Sequence, residues 1–406
     1  MKLNTQLKRV LYGSPLHRIG GRIALAALLI GLFVSTLHGF QRYYLAQPVQ
    51  MLAGLVVSAV LLLPTILALL FFDRREREAK PLFWGVPLAV IFFFGPAASR
   101  MLSLVFDSSG LEYWQFVGFI EEPAKILPLL LLLIFARPAI NGVRDGLIYG
   151  ALGGLGFGIL EGAAYFALVD YPESGWPALF TETMSRVSLL GTDIHTLFSA
   201  TIGAAIGYGV STKNRWLGIT VSVGVFLLVA LTHGQQDHIL GKNLGVTGAE
   251  ISFNIVSALA TLVGRPIDPT SQVDNSPFLY LILSLGSAIA MIGINLINLV
   301  ILFVAMWTSG DTERRIVREQ LRGEPESVIT PEEYAGVEAE RRLHLRLPPG
   351  YPKNVARKIR SLQNELAFRK DFVQQSGGDV TSDPPTITLR TLIEAERGTG
   401  APGGTK

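Results

Sequence analysis

Long apolar segments, each about the length needed to cross a bilayer, most constrain what this chain can fold into. A helix needs roughly 20 apolar residues to span the hydrocarbon core, and we count about eight such runs. They cover residues 22–38, 49–72, 82–106, 113–136, 146–169, 187–210, 216–239 and 278–307. Hydrophobic residues make up 49% of the 406 residues and charged residues only 17%. The sequence therefore predicts an all-α polytopic membrane protein with about eight transmembrane helices.

Basic residues between the apolar runs predict the orientation of the chain. Lysine and arginine are frequent before the first run and after the second, fourth, sixth and eighth runs, and they are sparse in the other connecting segments. Since cytoplasmic segments carry the excess of basic residues, both termini are expected in the cytoplasm. Residues 245–264 are moderately apolar but contain Glu250, and we interpret them as an interfacial or re-entrant helix of an outer loop.

The chain changes character after residue 309. We expect residues 1–309 to form the transmembrane domain. Residues 310–372 are charged with helical patterning, which predicts a small helical cytoplasmic tail. Residues 373–406 are rich in Gly, Pro, Ser and Thr and are expected to be disordered.

Composition excludes several kinds of function. The sequence contains no cysteine, which excludes disulfides, thiolate zinc sites and cysteine nucleophiles. The net charge of +3 is too small to indicate a nucleic-acid partner. The expected surroundings are the lipid bilayer, with the cell membrane, and a prokaryotic plasma membrane in particular, as the location.

Ionisable residues inside four successive apolar runs are the main functional signal. With the orientation above, they lie at about 10–12 Å below the outer surface or shallower, at 1.5 Å per residue. They are Glu121 and Glu122 in the fourth run, Glu161 in the fifth, His195 in the sixth, and His233 and Asp237 in the seventh. Such residues are costly within a membrane, and their shared depth predicts a functional site.

Two local patterns bear on how this site is built. Pro123 follows the glutamate pair directly, which predicts an irregular backbone there. The fifth run has glycine at every fourth position from Gly146 to Gly162. This ridge of small residues predicts close packing against a neighbouring helix.

The residue types fit two kinds of hydrolytic chemistry. Two adjacent carboxylates split their pKa values, so one can act as a general base on water, and a nearby histidine can shuttle a proton or stabilise an oxyanion. Lys125 can favour the ionised form of one glutamate. Alternatively, Glu161, His195 and His233 are a carboxylate-plus-two-histidine set for a divalent metal such as zinc. The residues alone do not choose between these mechanisms.

The motifs that contain these residues resemble those of the PrsW family of intramembrane proteases. "EEPAK" at 121–125 matches E-E-x-x-K, and "FGILE" runs from Phe157 to Glu161. "HTLFSA" begins at His195, and "HGQQD" runs from His233 to Asp237. The four motifs occur in family order over about residues 110–240. The family is related to the type II CAAX prenyl endopeptidases.

The resemblance implies an intramembrane endopeptidase that cuts membrane-tethered proteins near the extracytoplasmic face. It implies water activation by the Glu121 and Glu122 pair, with His195 and His233 as oxyanion stabilisers or ligands. Asp237 would have an orienting or polarising role in the site, and Glu161 would complete the set of site residues. The family is associated with anti-sigma factors, so an anti-sigma-like substrate is implied by resemblance only.

Two other classes of protein also place ionisable residues in membranes. A proton- or cation-coupled transporter needs buried carboxylates and histidines, but it also predicts a polar path toward the cytoplasm. The inner halves of the fourth, sixth and seventh runs are almost purely apolar. A non-catalytic membrane scaffold is the third class, and it does not require intact candidate groups in all four motifs.

Overall fold

The computed structural model describes residues 19–72, 80–109, 117–176, 179, 193–212, 214–239, 296–340 and 346–400. None of these residues lies in a β-strand. The N-terminal helices are α1 (Ile19–Phe40), α2 (Pro48–Leu61), α3 (Leu63–Phe72), α4 (Lys80–Ala89) and α5 (Gly95–Ser109). The next are α6 (Val117–Phe135), α7 (Val143–Tyr165), α8 (Tyr171–Ser174), α9 (Ile194–Ser211) and α10 (Arg215–Ile239). The last are α11 (Leu296–Leu321), α12 (Pro331–Glu338), α13 (Lys353–Gln375) and α14 (Pro384–Gly400).

Several helical segments are suited to a membrane. Lys80–Val105, Val143–Leu168 and Arg215–Gly234 are each long and apolar enough to cross it. Helices α2 and α3, bent by 48° relative to each other, make a fourth candidate if the pair crosses as one span. The structure thus bears out an all-helical fold with three or four candidate spans among the described residues. Residues 245–264 and most of the predicted run at 278–307 lie outside them.

Helix α6 is continuous, which corrects the irregular backbone expected at Pro123. Both Pro123 and Pro128 lie inside this helix. A proline removes one backbone donor, but its fixed φ is close to the helical value. Buried residues on both sides of Pro123, including Glu122 and Lys125, are held by contacts to neighbouring helices. Tertiary contacts therefore outweigh the local preference.

Helix α7 is the central helix of the apolar part, and most of its residues are buried. Its glycine ridge packs against α9. An ideal Cβ at Gly146 lies 2.2 Å from the carbonyl oxygen of Gly203, and one at Gly150 lies 2.2 Å from that of Ser199. At Gly154 the same atom lies 2.1 Å from the carbonyl oxygen of His195. The two backbones touch because glycine has no side chain to separate them.

The C-terminal helices form a second core. The end of α11 packs with α12, α13 and α14 around a set of buried apolar residues. They are Val317, Leu321, Val328, Ile329, Val337, Ile359, Leu362, Leu366, Ala367, Phe368, Leu389 and Ile393. Helix α12 starts with a capping box in which Thr330 and Glu333 each accept a hydrogen bond from the other's backbone amide. We call the described residues from 310 to 400 the C-terminal unit.

Two features of the C-terminal unit differ from the expectations. Pro384–Gly400, which falls in the segment expected to be disordered, forms α14. Its residues Leu389 and Ile393 are four positions apart, so they lie on one helix face and enter the core together. The predicted boundary at residue 309 also falls inside a continuous helix, α11.

The C-terminal unit contacts the apolar part at the start of α7. Arg144 of α7 forms an ion pair with Glu313 of α11. The guanidinium of Arg137 lies 5.6 Å from the ring centroid of Phe372 in α13, within the range of a cation–π contact.

A buried glutamate links three segments of the C-terminal unit. Glu324 Oε1 accepts a hydrogen bond from Lys370 Nζ at 2.6 Å. Arg390 donates two more, each at 2.8 Å. Burial opposes the charge on Glu324, but the hydrogen bonds and the positive charges of Arg390 and Lys370 outweigh it and hold the pKa of Glu324 below its usual value.

The glycine ridge predicts a specific loss of stability. We expect Gly150→Ala to lower the free energy of unfolding by about 1–3 kcal/mol, because its methyl group must force α7 and α9 apart. The measurement is thermal unfolding in detergent micelles, followed by circular dichroism. Gly224→Ala in α10 is the matched control, since an added Cβ there meets nothing within 4 Å. Equal unfolding temperatures for the two variants would contradict the close packing.

The ion pairs of Glu324 predict that the stability of the C-terminal unit depends on pH. Because its folded-state pKa is lowered, its contribution is complete above about pH 4.3, the ordinary glutamate value. It is lost as pH falls through the folded-state pKa. We expect Glu324→Gln to cost about 1.5–3 kcal/mol at neutral pH, and the difference from wild type to shrink in acid.

Hydrogen exchange of the α13 and α14 amides, corrected for intrinsic rates at each pH, measures this difference. Glu338→Gln is the control, because Glu338 and its partner Arg322 are both exposed and 3.8 Å apart, and exposed pairs contribute little. If the difference in stability between wild type and Glu324→Gln stays constant down to pH 2, the ion pairs of Glu324 are not the cause of the pH dependence.

Candidate active site

Helix α6 carries two carboxylates and one ammonium on one buried face. Glu121 is 4% exposed, while Glu122 and Lys125 are fully buried. Residues three and four apart lie on the same side of a helix, so Lys125 reaches both glutamates. Its Nζ lies 2.8 Å from Glu122 Oε1 and 3.3 Å from Glu121 Oε2. One positive charge therefore lies between two negative ones in an apolar environment.

His195 of α9 joins this cluster from the side of the glycine ridge. Its Nδ1 lies 2.8 Å from Lys125 Nζ, and its Nε2 lies 2.6 Å from Glu161 Oε2 on α7. The ring of Phe157, one turn before Glu161, lies 5.1 Å from the His195 ring and 4.3 Å from Lys125 Nζ. Both nitrogens of His195 thus face a charged group.

His233 of α10 closes the cluster on the other side of the glutamates. Its Nδ1 lies 2.9 Å from Glu122 Oε1, and its Nε2 lies 3.7 Å from Glu121 Oε2. The ring centroids of His233 and His195 are 5.5 Å apart, and the ring planes are inclined at 66°. Four helices, α6, α7, α9 and α10, therefore contribute ionisable side chains to one buried site.

The structure brings together seven of the eight residues singled out in the sequence. They are Glu121, Glu122, Lys125, Phe157, Glu161, His195 and His233. Asp237 lies in α10, one turn after His233, but its side chain is outside the described part of the structure.

Sequence reasoning missed two residues that touch this cluster, Ser199 and Phe198, and a third, Asp193, that begins the helix carrying His195. Ser199 Oγ donates to Glu122 Oε2 at 3.3 Å, and its position one turn after His195 is the signal that could have found it. The ring of Phe198 lies 5.4 Å from that of His233. Asp193 is the N-cap of α9 and accepts a hydrogen bond from the Thr196 amide, in the pattern typical of helix starts.

Asp193 also explains one position of the glycine ridge. An ideal Cβ at Gly158 lies 2.2 Å from Asp193 Oδ2, so a side chain at 158 would displace the buried carboxylate. Asp193 begins the helix that presents His195 two residues later. The ridge therefore positions the first turn of α9 as well as its middle.

Three side chains of the cluster have donor atoms close enough together to hold a divalent metal. Ligand atoms of Glu121, His195 and His233 lie within 4.8 Å of one another, and all three residues are buried. A carboxylate and two imidazoles are a common catalytic zinc set. This group contains Glu121 where the sequence-based set has Glu161, which instead contacts His195 Nε2.

The arrangement is suited to moving protons close to a carboxylate. Glu122 is contacted by Lys125, His233 and Ser199, so its oxygens are engaged with the protein. Glu121 Oε2 lies 3.3 Å from Lys125 Nζ and 3.7 Å from His233 Nε2, and this residue retains slight exposure. The two adjacent glutamates therefore have different environments, as an acid–base pair requires.

The contact pattern predicts different stability costs for the two glutamates. We expect Glu122→Gln to lower the free energy of unfolding by about 3 kcal/mol, because it removes the closer charge partner of a fully buried ammonium. Glu121→Gln is expected to cost less. Chemical unfolding of both variants in the same detergent tests the order, and a larger loss for Glu121→Gln would overturn it.

Comparison with known proteins supports the motif assignment. Residues 79–263, somewhat less than half of the chain, match the family model described as PrsW family intramembrane metalloprotease. No curated protein and no solved structure matches the chain. The matched residues contain every side chain of the cluster described above. The resemblance to the PrsW family of intramembrane proteases, read first from four short motifs, is therefore confirmed over residues 79–263.

Proposed function

We propose that this chain is an intramembrane endopeptidase in which Glu121 is the general base that activates water. The observation that carries this proposal is the unequal environment of the two glutamates. Glu122 lies within hydrogen-bond distance of Lys125, His233 and Ser199. Glu121 Oε2 lies 3.3 Å from Lys125 Nζ and 3.7 Å from His233 Nε2, so these contacts are longer than the contacts of Glu122 with the same two residues.

The remaining side chains have supporting roles in this proposal. Glu122 and Lys125 form a buried ion pair, in which each side chain compensates the charge of the other. His233 accepts or returns a proton beside Glu121, and His195 holds the Lys125 ammonium beside the two glutamates. Glu161 orients His195 through its Nε2 contact. Phe157 covers Lys125 and His195. An orienting or polarising role for Asp237 rests on the family resemblance alone.

Activation of water by a divalent metal such as zinc is the alternative mechanism at this site. Glu121, His195 and His233 would hold it. A bound metal would supply Lewis-acid activation of water and polarise the scissile carbonyl. The description of the matching family as a metalloprotease supports this alternative.

The position of the site supports a membrane-tethered protein as substrate. In the proposed topology of about eight spans with both termini cytoplasmic, the site lies in the outer leaflet of a prokaryotic cell membrane. The transmembrane domain, residues 1–309, would contain the catalytic core at about 110–240. Residues 310–400 would lie in the cytoplasm. An anti-sigma-like substrate rests on the family resemblance alone.

A transporter is less well supported by the surroundings of the site. From Ile126 onward, the described residues of α6 are apolar as far as Phe135. A coupled transporter needs a polar path that continues past the ionisable cluster. No such path follows Lys125 along this helix.

Cleavage in reconstituted liposomes tests the proposal. Wild type and Glu121→Gln are incubated with a pool of single-span proteins, with and without a metal chelator. We expect wild type to cleave and Glu121→Gln to be slower by about 100-fold or more, because proton transfer by a placed base contributes that much. Chelator-sensitive cleavage would support the metal mechanism.

Glu324→Gln is the matched control for this experiment. It makes the same chemical change at a buried, ion-paired glutamate of the C-terminal unit, and it should retain the wild-type rate. Wild-type cleavage by Glu121→Gln would remove this residue from the reaction. Proton flux that depends on Glu121, without cleavage, would support a transporter instead.

A further inference from the structure

The ammonium of Lys125 lies at the centre of the site and contacts three ligands. Its Nζ is 2.8 Å from Glu122 Oε1, 3.3 Å from Glu121 Oε2 and 2.8 Å from His195 Nδ1. Two carboxylate oxygens and an imidazole nitrogen are also the donor types that zinc takes. Lys125 therefore has the ligand set of a bound cation.

The contact between Lys125 and His195 determines which nitrogen of His195 carries a proton. A lysine ammonium has three donors and no acceptor, so His195 Nδ1 must accept the hydrogen bond through its lone pair. The proton of the neutral ring is then on Nε2, which donates to Glu161 Oε2 at 2.6 Å. Both nitrogens of His195 are committed in this arrangement.

This arrangement conflicts with metal binding by the same residues. The group that could hold a metal is Glu121, His195 and His233, and Lys125 already contacts two of these three. A metal ligand must present a free lone pair, and His195 has none while Lys125 and Glu161 hold it. A divalent ion would also lie within a few ångströms of the ammonium, where like charges repel strongly in a buried site.

We propose that Lys125 is the resident cation of this site, so that its ammonium and a divalent metal are alternative occupants of the space between Glu121 and His195. The state described here is the lysine-bound one, in which His195 has its proton on Nε2 and is oriented by Lys125 and Glu161. Lys125 is thus a positioning residue that also sets how weakly the site binds metal. The inference concerns the site of the proposed function and does not depend on which reaction occurs there.

Metal binding to the purified full-length chain tests this inference. Co²⁺ is titrated into wild type, Lys125→Leu and Lys125→Arg in detergent, and binding is followed by the visible absorption of the bound ion. We expect Lys125→Leu to bind Co²⁺ at least about tenfold more tightly than wild type. Lys125→Arg keeps the positive charge and should gain no affinity. Equal or weaker binding by Lys125→Leu would overturn the inference.

Removing Lys125 leaves two glutamates close together, so Lys125→Leu alone can fail to fold. The same comparison in the Glu122→Gln background avoids this, since it removes one negative charge and keeps Glu121, His195 and His233. Tighter Co²⁺ binding by Lys125→Leu/Glu122→Gln than by Glu122→Gln supports the inference, and unchanged binding contradicts it.

The tautomer of His195 gives an independent measurement on the wild type. Nitrogen chemical shifts of ¹⁵N-labelled histidine, assigned by comparison with His195→Gln, report which ring nitrogen is protonated. We expect a neutral ring protonated on Nε2, and a ring protonated on Nδ1 would overturn the inference. Neither measurement involves cleavage, so failure here and failure of the protease proposal are separate results.

Discussion

The contact of Lys125 with Glu122 is the interaction on which the buried site depends. Neither charge is stable alone in an apolar environment, where an unpaired ion costs several kcal/mol. The ion pair of Lys125 and Glu122 also makes hydrogen bonds and charge contacts with polar side chains of neighbouring helices. Glu122 draws His233 and Ser199 from two neighbouring helices, and Lys125 draws His195. Electrostatics therefore specifies how α6, α9 and α10 meet, while apolar packing alone would leave the rotation of each helix about its axis less defined.

Close backbone contact between α7 and α9 makes this electrostatic arrangement geometrically possible. His195 reaches Lys125 on one side and Glu161 on the other, which requires its helix to lie unusually near α7. Gly154 faces the His195 carbonyl at a distance that excludes any side chain. Small residues are the usual means of bringing membrane helices together. The ridge is thus a structural requirement of the site.

Much of the site was predictable from the sequence because helical spacing and membrane depth limit which residues can meet. The spacing of four residues brings Glu121 into contact with Lys125. The similar depth of Glu161 and His195 likewise corresponds to a direct contact between their side chains. Which carboxylate oxygen joins the two histidines was not predictable. The choice of carboxylate depends on side-chain rotamers, which move the oxygens by a few ångströms. Glu121, and not Glu161, belongs to the group that could hold a metal. The polar composition of residues 373–406 also led to a wrong prediction of disorder for α14. This helix is ordered because two apolar residues, Leu389 and Ile393, enter the second core.

Helix α11 joins the apolar part to the C-terminal unit without a break. Its 26 residues correspond to a rod of about 39 Å at 1.5 Å rise per residue. One end is apolar, the middle pairs with Arg144 of α7, and the far end is part of the second core through Leu321. The helix also packs against both α7 and α9, the pair of helices that holds Glu161 and His195. A change in the tilt of α11 that follows the C-terminal unit would therefore act directly on the two helices of the glycine ridge.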